Sequence, residues 1–180
     1  RKYKRPNDIM LNDVAVLQYT GGTTGVAKGA MLTHKNLIAN LVQSNTFLGS
    51  AFDEFDAKGE QAVILTALPL YHIFSFTVCG MFGIYRGCVC LLVPNPRDLD
   101  SLMKAYKGNR EITGNIILQG YGLSETSPVA TANPLSSTEF SGTIGVPMPG
   151  TEIAIIDEEG NEVEIGARGE IGVRGPQVMK

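Results

Sequence analysis

Blocks of apolar and polar positions alternate along the chain and predict strands and helices in turn. Val14–Tyr19 is a short apolar run that suits a strand. Thr33 can cap a helix from His34 to about Phe47, with Leu37, Ile38, Leu41 and Val42 on one face. Phe52–Gln61 is polar and charged, and a connection is expected there. Ala62–Leu68 and Cys88–Val93 read as strands on either side of a helix over Ile73–Tyr85, and Pro94-Asn95-Pro96 stops the second strand. Leu99–Tyr106 reads as helical. From Gly142 the texture changes. Ile153–Ile156 and Gly169–Val173 are strand-like, with the turn residues Asp157-Glu158-Glu159-Gly160 in the same stretch. The expected fold is α/β: a mostly parallel sheet flanked by helices, with a smaller β-rich lobe at the C-terminal end. The expected division is an α/β core over residues 1–141 and the lobe over 142–180.

One stretch invites a different reading. Gln61–Tyr85 contains no Asp, Glu, Lys or Arg, which is long enough to suggest a membrane span. Pro69 and the polar Tyr71-His72 divide it, so strand, loop and buried helix fit better. The 180 residues, 43% hydrophobic and 18% charged, have the make-up of a globular domain with a sizeable core. A net charge of −3 argues against a nucleic-acid surface. The basic run Arg1-Lys2-Tyr3-Lys4-Arg5 is short and reads as a solvated tail. No charged-then-apolar leader is visible, and position 1 is expected to be a cut through a longer protein. Cys79, Cys88 and Cys90 lie in apolar surroundings and are expected to be buried free thiols in a reducing compartment. Cys88 and Cys90 have no third and fourth ligand nearby, which argues against zinc.

The candidate chemistry begins at Tyr19–Gly29, Y-T-G-G-T-T-G-V-A-K-G. Gly21, Gly22 and Gly25 let a backbone approach a ligand closely, Thr20, Thr23 and Thr24 add hydroxyls, and Lys28 adds a cation. Such a loop suits phosphate oxygens. It is not a Walker A loop, because Ala27 precedes Lys28 and Gly29 follows it. No G-x-G-x-x-G can be laid on its glycines, so it is not a dinucleotide fingerprint either. A plain glycine turn needs one or two glycines, not eleven residues of this composition.

This loop resembles the phosphate-binding signature of the adenylate-forming acyl-CoA synthetase superfamily. Tyr121-Gly122-Leu123-Ser124-Glu125-Thr126 is similar to that family's Y-G-x-T-E segment, with Ser124 in the usual Thr place. Pro69-Leu70-Tyr71-His72-Ile73-Phe74 resembles the His-containing loop between them. Gly22 and Val26-Ala27 look most like bacterial long-chain fatty acid–CoA ligases.

The resemblance implies a ligase that joins a fatty acid to AMP from ATP, releases pyrophosphate, and passes the acyl group to CoA. It implies that Thr20, Gly21, Gly22, Thr23, Thr24 and Gly25 grip the triphosphate with Lys28 nearby. Glu125 would hold Mg²⁺, with the Thr23 hydroxyl opposite. Ser124 would bond the α-phosphate, and Tyr121, within Gly120-Tyr121-Gly122, would lie along adenine. His72 would orient the substrate carboxylate. Each has an ordinary alternative: a surface carboxylate at Glu125, a core imidazole at His72, a packing ring at Tyr121. The resemblance implies a cytoplasmic setting and leaves open peripheral membrane contact and a homodimer. Other acids, aryl or amino, and a non-catalytic nucleotide-binding module remain the alternatives.

The chain departs from the family at Lys107–Gly114. Relatives place two further βα units there, so roughly sixty residues are expected to be absent. This chain is expected to lack the C-terminal domain as well, and to be inactive alone.

Overall fold

The computed structural model describes residues 8–20, 28–108, 118–137 and 139–180, with Thr20 described through its backbone. Strand β1 (Val14–Thr20) pairs antiparallel with β2 (Lys28–Thr33), and the last pair of the hairpin is Thr20 opposite Lys28. β2 has no counterpart among the expected elements. Ala30 and Leu32 of β2 are buried with Leu37 and Ile73, and Ala15, Val16, Phe76 and Met81 pack against them. This is the core beneath the hairpin.

Helix α1 (His34–Lys58) starts where expected, at Thr33. The Thr33 hydroxyl accepts the Asn36 N–H at 3.2 Å, and the Asn36 side chain accepts the Thr33 N–H at 3.0 Å. The helix runs eleven residues beyond Phe47, into the stretch expected to be a connection. Gly59, at φ 69°, ends it by turning left-handed, and the Glu60 N–H reaches the Phe55 carbonyl at 3.0 Å. The extra turns are held by Arg86. Its guanidinium pairs with Asp53 at 2.7 Å and Asp56 at 2.8 Å and lies 5.7 Å from the Phe52 ring centroid. Both carboxylates are well exposed, so each pair is weak alone. We expect Arg86→Ala to cost about 1–2 kcal/mol in all, including the cation–π contact. Thermal unfolding of variant and parent would check it, and an unchanged midpoint would refute the clamp.

The buried face of α1 also differs from expectation. Leu37 is buried, but Ile38 and Val42 are exposed, and the buried row is Asn36, Asn40 and Gln43. These amides tie α1 to distant backbone. Asn40 donates to the Val129 carbonyl at 2.8 Å and accepts the Val129 N–H at 3.2 Å. Asn36 donates to the carbonyls of Pro176 and Val178, and Gln43 to that of Pro149. A buried amide with all its bonds made is stabilising, whereas a lost partner is costly.

β3 (Val63–Thr66) and β4 (Val89–Leu92) form a parallel pair. Between them the helical segment 73–85 occupies the expected span, wound as a π-helix over Ser75–Phe82 and as α2 over Gly83–Tyr85. This strand–helix–strand unit is the expected one. Among the described residues no helix is long and apolar enough to cross a membrane. α3 (Leu99–Gly108) follows, with none of its residues buried. Next come β5 (Gly120–Gly122), β6 (Val129–Ala132) and β7 (Val146–Pro147) in one antiparallel sheet, then the antiparallel pair β8 (Glu152–Ile156) and β9 (Glu170–Arg174).

The fold is α/β, but a mostly parallel sheet is not what the described residues form. One pair is parallel and the other pairings are antiparallel. A parallel pair needs a crossover of a dozen or more residues, and only Val63–Leu92 encloses one as a helix. The cysteines are free, with Cys79 buried, as expected; Cys90 on β4 is exposed, against expectation. Burial pushes the Cys79 thiol up, so it stays protonated and inert at neutral pH.

Candidate functional site

Three pieces of backbone converge around the β1/β2 hairpin. The glycine–threonine loop lies between β1 and β2 in the sequence. Of its expected phosphate ligands, Gly21, Gly22, Thr23, Thr24 and Gly25 lie outside the described residues, while Thr20 and Lys28 mark where the loop leaves and rejoins the strands. Lys28 is exposed there.

The second piece is the 3₁₀ turn Ser124–Thr126, which touches both β1 and β2. Ser124 and Glu125 are half-buried on it, three residues or fewer beyond the end of β5. Glu125 thus follows an antiparallel strand. Thr126 fixes the turn and was missed as a site residue. It is fully enclosed, its hydroxyl accepts the Leu123 N–H at 2.9 Å and donates to the Pro128 carbonyl. A threonine closing a motif of exposed function is the available signal, since a buried hydroxyl must find partners. Gly120 and Gly122 flank half-buried Tyr121 in β5 and lie against the backbone of β6 and Pro128, where side chains would not fit.

The third piece is the His72 loop. Gln18 of β1 donates to the Tyr71 carbonyl at 3.2 Å, which ties this loop to the hairpin. Ser75, fully buried, donates to the Leu68 carbonyl at 2.8 Å and closes the loop on itself. The Phe74 N–H donates to Nδ1 of His72 at 3.2 Å. Nδ1 is therefore an acceptor, and in the neutral ring the proton sits on Nε2. His72 is exposed, so that N–H can meet a ligand. Leu17, Gln18, Tyr19, Leu70, Tyr71 and Phe76 line a largely apolar groove of about 390 Å³ between β1 and this loop.

Hairpin, acidic turn and imidazole loop are thus held around one strand. The profile of the AMP-binding enzyme family matches this chain over residues 2–113 and again over 107–180. The chain belongs to the AMP-binding enzyme family.

Relatives within this AMP-binding family include the long-chain-fatty-acid–CoA ligase of Yersinia pestis, 39% identical over 225 residues. That match takes in 99% of this chain and 39% of the relative. The ligase of the same name from Bacillus subtilis is 32% identical over 216 residues, covering 94% of this chain and 38% of its own. Among solved structures, o-succinylbenzoate coenzyme A synthetase from Bacillus subtilis in complex with AMP superposes with a TM-score of 0.72 at 27% identity. The match covers 96% of this chain and 53% of that one. A long-chain-fatty-acid–CoA ligase from Archaeoglobus fulgidus gives 0.69 at 26% identity, over 93% and 43%. The chain therefore spans about 40% of the length of the curated AMP-binding relatives.

The 225 aligned positions exceed the 180 residues of this chain by 45, fewer than the roughly sixty expected, and the two family matches overlap at 107–113. That is the place, Lys107–Gly114, where the sequence alone suggests missing βα units.

Proposed function

We propose that this chain is the nucleotide-binding part of a long-chain fatty acid–CoA ligase, which activates the acid as an acyl-adenylate and then transfers it to CoA. The observation that carries this reading is the packing of the hairpin bearing the glycine–threonine loop against the turn bearing Ser124 and Glu125. Attack of a carboxylate on the α-phosphate brings an anion to a polyanion, so the barrier is largely electrostatic. Thr20 to Gly25 would surround the triphosphate with N–H and hydroxyl donors, and Lys28 would add a charge. Ser124 would donate to the α-phosphate, and Tyr121 would lie along the adenine. The Nε2 proton of His72 would orient the substrate carboxylate, with the apolar groove at its side.

Among the described residues no three His, Cys, Asp or Glu side chains gather. Glu125 is a single carboxylate, which fits Mg²⁺ held by one carboxylate, the Thr23 hydroxyl, phosphates and water rather than a protein cage. When bound, the ion would neutralise phosphate charge. The division into a core over 1–141 and a lobe over 142–180, and a larger parallel sheet in the complete enzyme, belong to the same proposal. A cytoplasmic setting fits the free thiols.

The test is product identity. A protein carrying this chain together with the segments that its relatives add should convert a long-chain fatty acid, ATP and CoA to acyl-CoA, AMP and pyrophosphate. Release of ADP would overturn the reading. Identity to the fatty acid ligases reaches 39%, against 26% to a 4-coumarate–CoA ligase-like protein of Arabidopsis thaliana, which favours a fatty acid over an aryl acid. One observation favours a second reading for the chain by itself: with 45 aligned positions absent, it is a nucleotide-binding module without turnover. ATP binding by the isolated chain with no AMP formed would support that reading.

A further inference from the structure

Beyond the register shift between Val14 and Val16, β1 runs evenly beside β2, with Val16 opposite Leu32 and Gln18 opposite Ala30. Both partners are buried core residues, and side chains two apart on a strand share a face. Gln18 therefore stands on the core side with Val16 and is half-buried, whereas Leu17 and Tyr19 are exposed. Val16, Leu70 and Phe76 line the same groove. An apolar side chain would fill this place, and an amide adds a hydrogen bond to it. Nε2 of Gln18 donates to the Tyr71 carbonyl at 3.2 Å, and at 3.5 Å to the carbonyl of its strand neighbour Tyr19.

The Tyr71 carbonyl belongs to the peptide that enters His72. The N–H of that peptide donates to the Pro69 carbonyl at 2.9 Å, so both of its polar groups are held. The His72 carbonyl accepts the Phe76 N–H at 2.9 Å, and Nδ1 accepts the Phe74 N–H at 3.2 Å. His72 is thus fixed within its own loop, and Gln18 fixes that loop against β1. Two residues after Gln18, Thr20 opens the glycine–threonine stretch. One side chain therefore sets the place of the imidazole relative to the strand that leads into the phosphate loop.

We propose that Gln18 is a positioning residue for adenylate formation, acting through His72 to hold the acid's carboxylate in line with the α-phosphate. This role rests on the fatty acid–CoA ligase reading. In that step a carboxylate oxygen bonds to the α-phosphorus as the bond to the bridging oxygen breaks, and pyrophosphate leaves with the electron pair. A misplacement of about 1 Å between such reacting groups costs on the order of 100-fold in rate. Gln18 acts on the acid's side of the site, so its loss falls on the acid and not on ATP affinity.

The test is a double-mutant cycle in a protein carrying this chain together with the segments that its relatives add, with palmitate, ATP and CoA as substrates. Gln18→Met keeps the length of the side chain and removes the donor. It should lower kcat/KM for palmitate roughly tenfold to 100-fold and leave KM for ATP within about twofold. His72→Ala should lower kcat/KM as well. Adding Gln18→Met to His72→Ala should then cost nothing further, because the loop has no imidazole left to place. A side chain serving the fold alone would impair both substrates together, and its loss would add to that of His72. Hydrogen exchange reads the tie without turnover: in Gln18→Met the His72 amide should exchange roughly tenfold faster while the amides of α1 keep their rates. Losses that add in the cycle overturn the proposal. So does a KM for ATP that rises with that for palmitate, or unchanged exchange at His72. A parent that makes no palmitoyl-CoA overturns the ligase reading, and this role falls with it; an active parent with additive losses overturns the role of Gln18 alone.

Discussion

Replacing Gly122 with alanine should dislodge the turn that presents Ser124 and Glu125. A Cβ at this position would lie 2.0 Å from the Pro128 carbonyl oxygen, 2.8 Å from its carbon and 3.2 Å from the Val129 Cα. All three are backbone atoms, so no side chain can swing aside. Gly122 sits at the register shift between β5 and β6, and the same Pro128 carbonyl accepts the Leu123 N–H at 3.1 Å and the Thr126 hydroxyl. Relieving the overlap therefore parts the two strands and frees a buried hydroxyl. We expect a loss of about 3 kcal/mol or more in urea unfolding. Gly120→Ala, whose Cβ would lie 2.8 Å from the Thr131 carbonyl, should be milder. An unfolding midpoint for Gly122→Ala equal to the parent's would refute the argument.

Glu125→Ala should leave the fold intact and remove the magnesium dependence of ATP binding. The carboxylate is half-buried, and among hydrogen bonds to this residue the structure gives only one to its backbone, from Met179 to the Glu125 carbonyl at 2.8 Å. Removing the side chain breaks no staple of the turn. A charge that holds a divalent cation against phosphate is worth several kcal/mol, so affinity for Mg·ATP should fall roughly 100-fold. Calorimetry with and without a chelator separates the contributions: the parent should lose affinity when magnesium is removed, and the variant should not. If Glu125→Ala binds Mg·ATP as the parent does, the metal role is wrong.

The elements legible in the sequence are those that form apolar runs bounded by turn residues. The helix over 73–85, β3, β4, β8 and β9 all fall near their expected places for that reason, although the buried positions of the helix include Ser75, Thr77 and Cys79 and that of β3 is Thr66. Two features escaped. β2 follows a loop far longer than a two-residue hairpin turn, so no local signal says that the chain returns beside β1. On α1 the buried row is amide rather than apolar, and its partners lie 89 to 142 residues away. Spacing along a helix can show that Asn36, Asn40 and Gln43 share a face. It cannot show that distant carbonyls wait there. The site was legible as three motifs, and the structure supplies what binds two of them to one strand: Gln18 to the His72 loop, and contact of the 124–126 turn with the hairpin. Most of the phosphate loop lies outside the described residues.

The row of amides on α1 also makes a mechanical linkage. Asn36 holds the carbonyls of Pro176 and Val178, the Met179 N–H holds the Glu125 carbonyl, and the Lys180 N–H holds the Met31 carbonyl at 3.2 Å. Five consecutive residues thus grip the start of α1, the acidic turn and the returning strand of the hairpin. A pull or rotation applied at Lys180 reaches the backbone of Glu125 through one hydrogen bond and β2 through another. Residues 176–180 thus tie the acidic turn and the returning strand to the start of α1, so a displacement of this segment would be felt at the backbones of Glu125 and Met31 together.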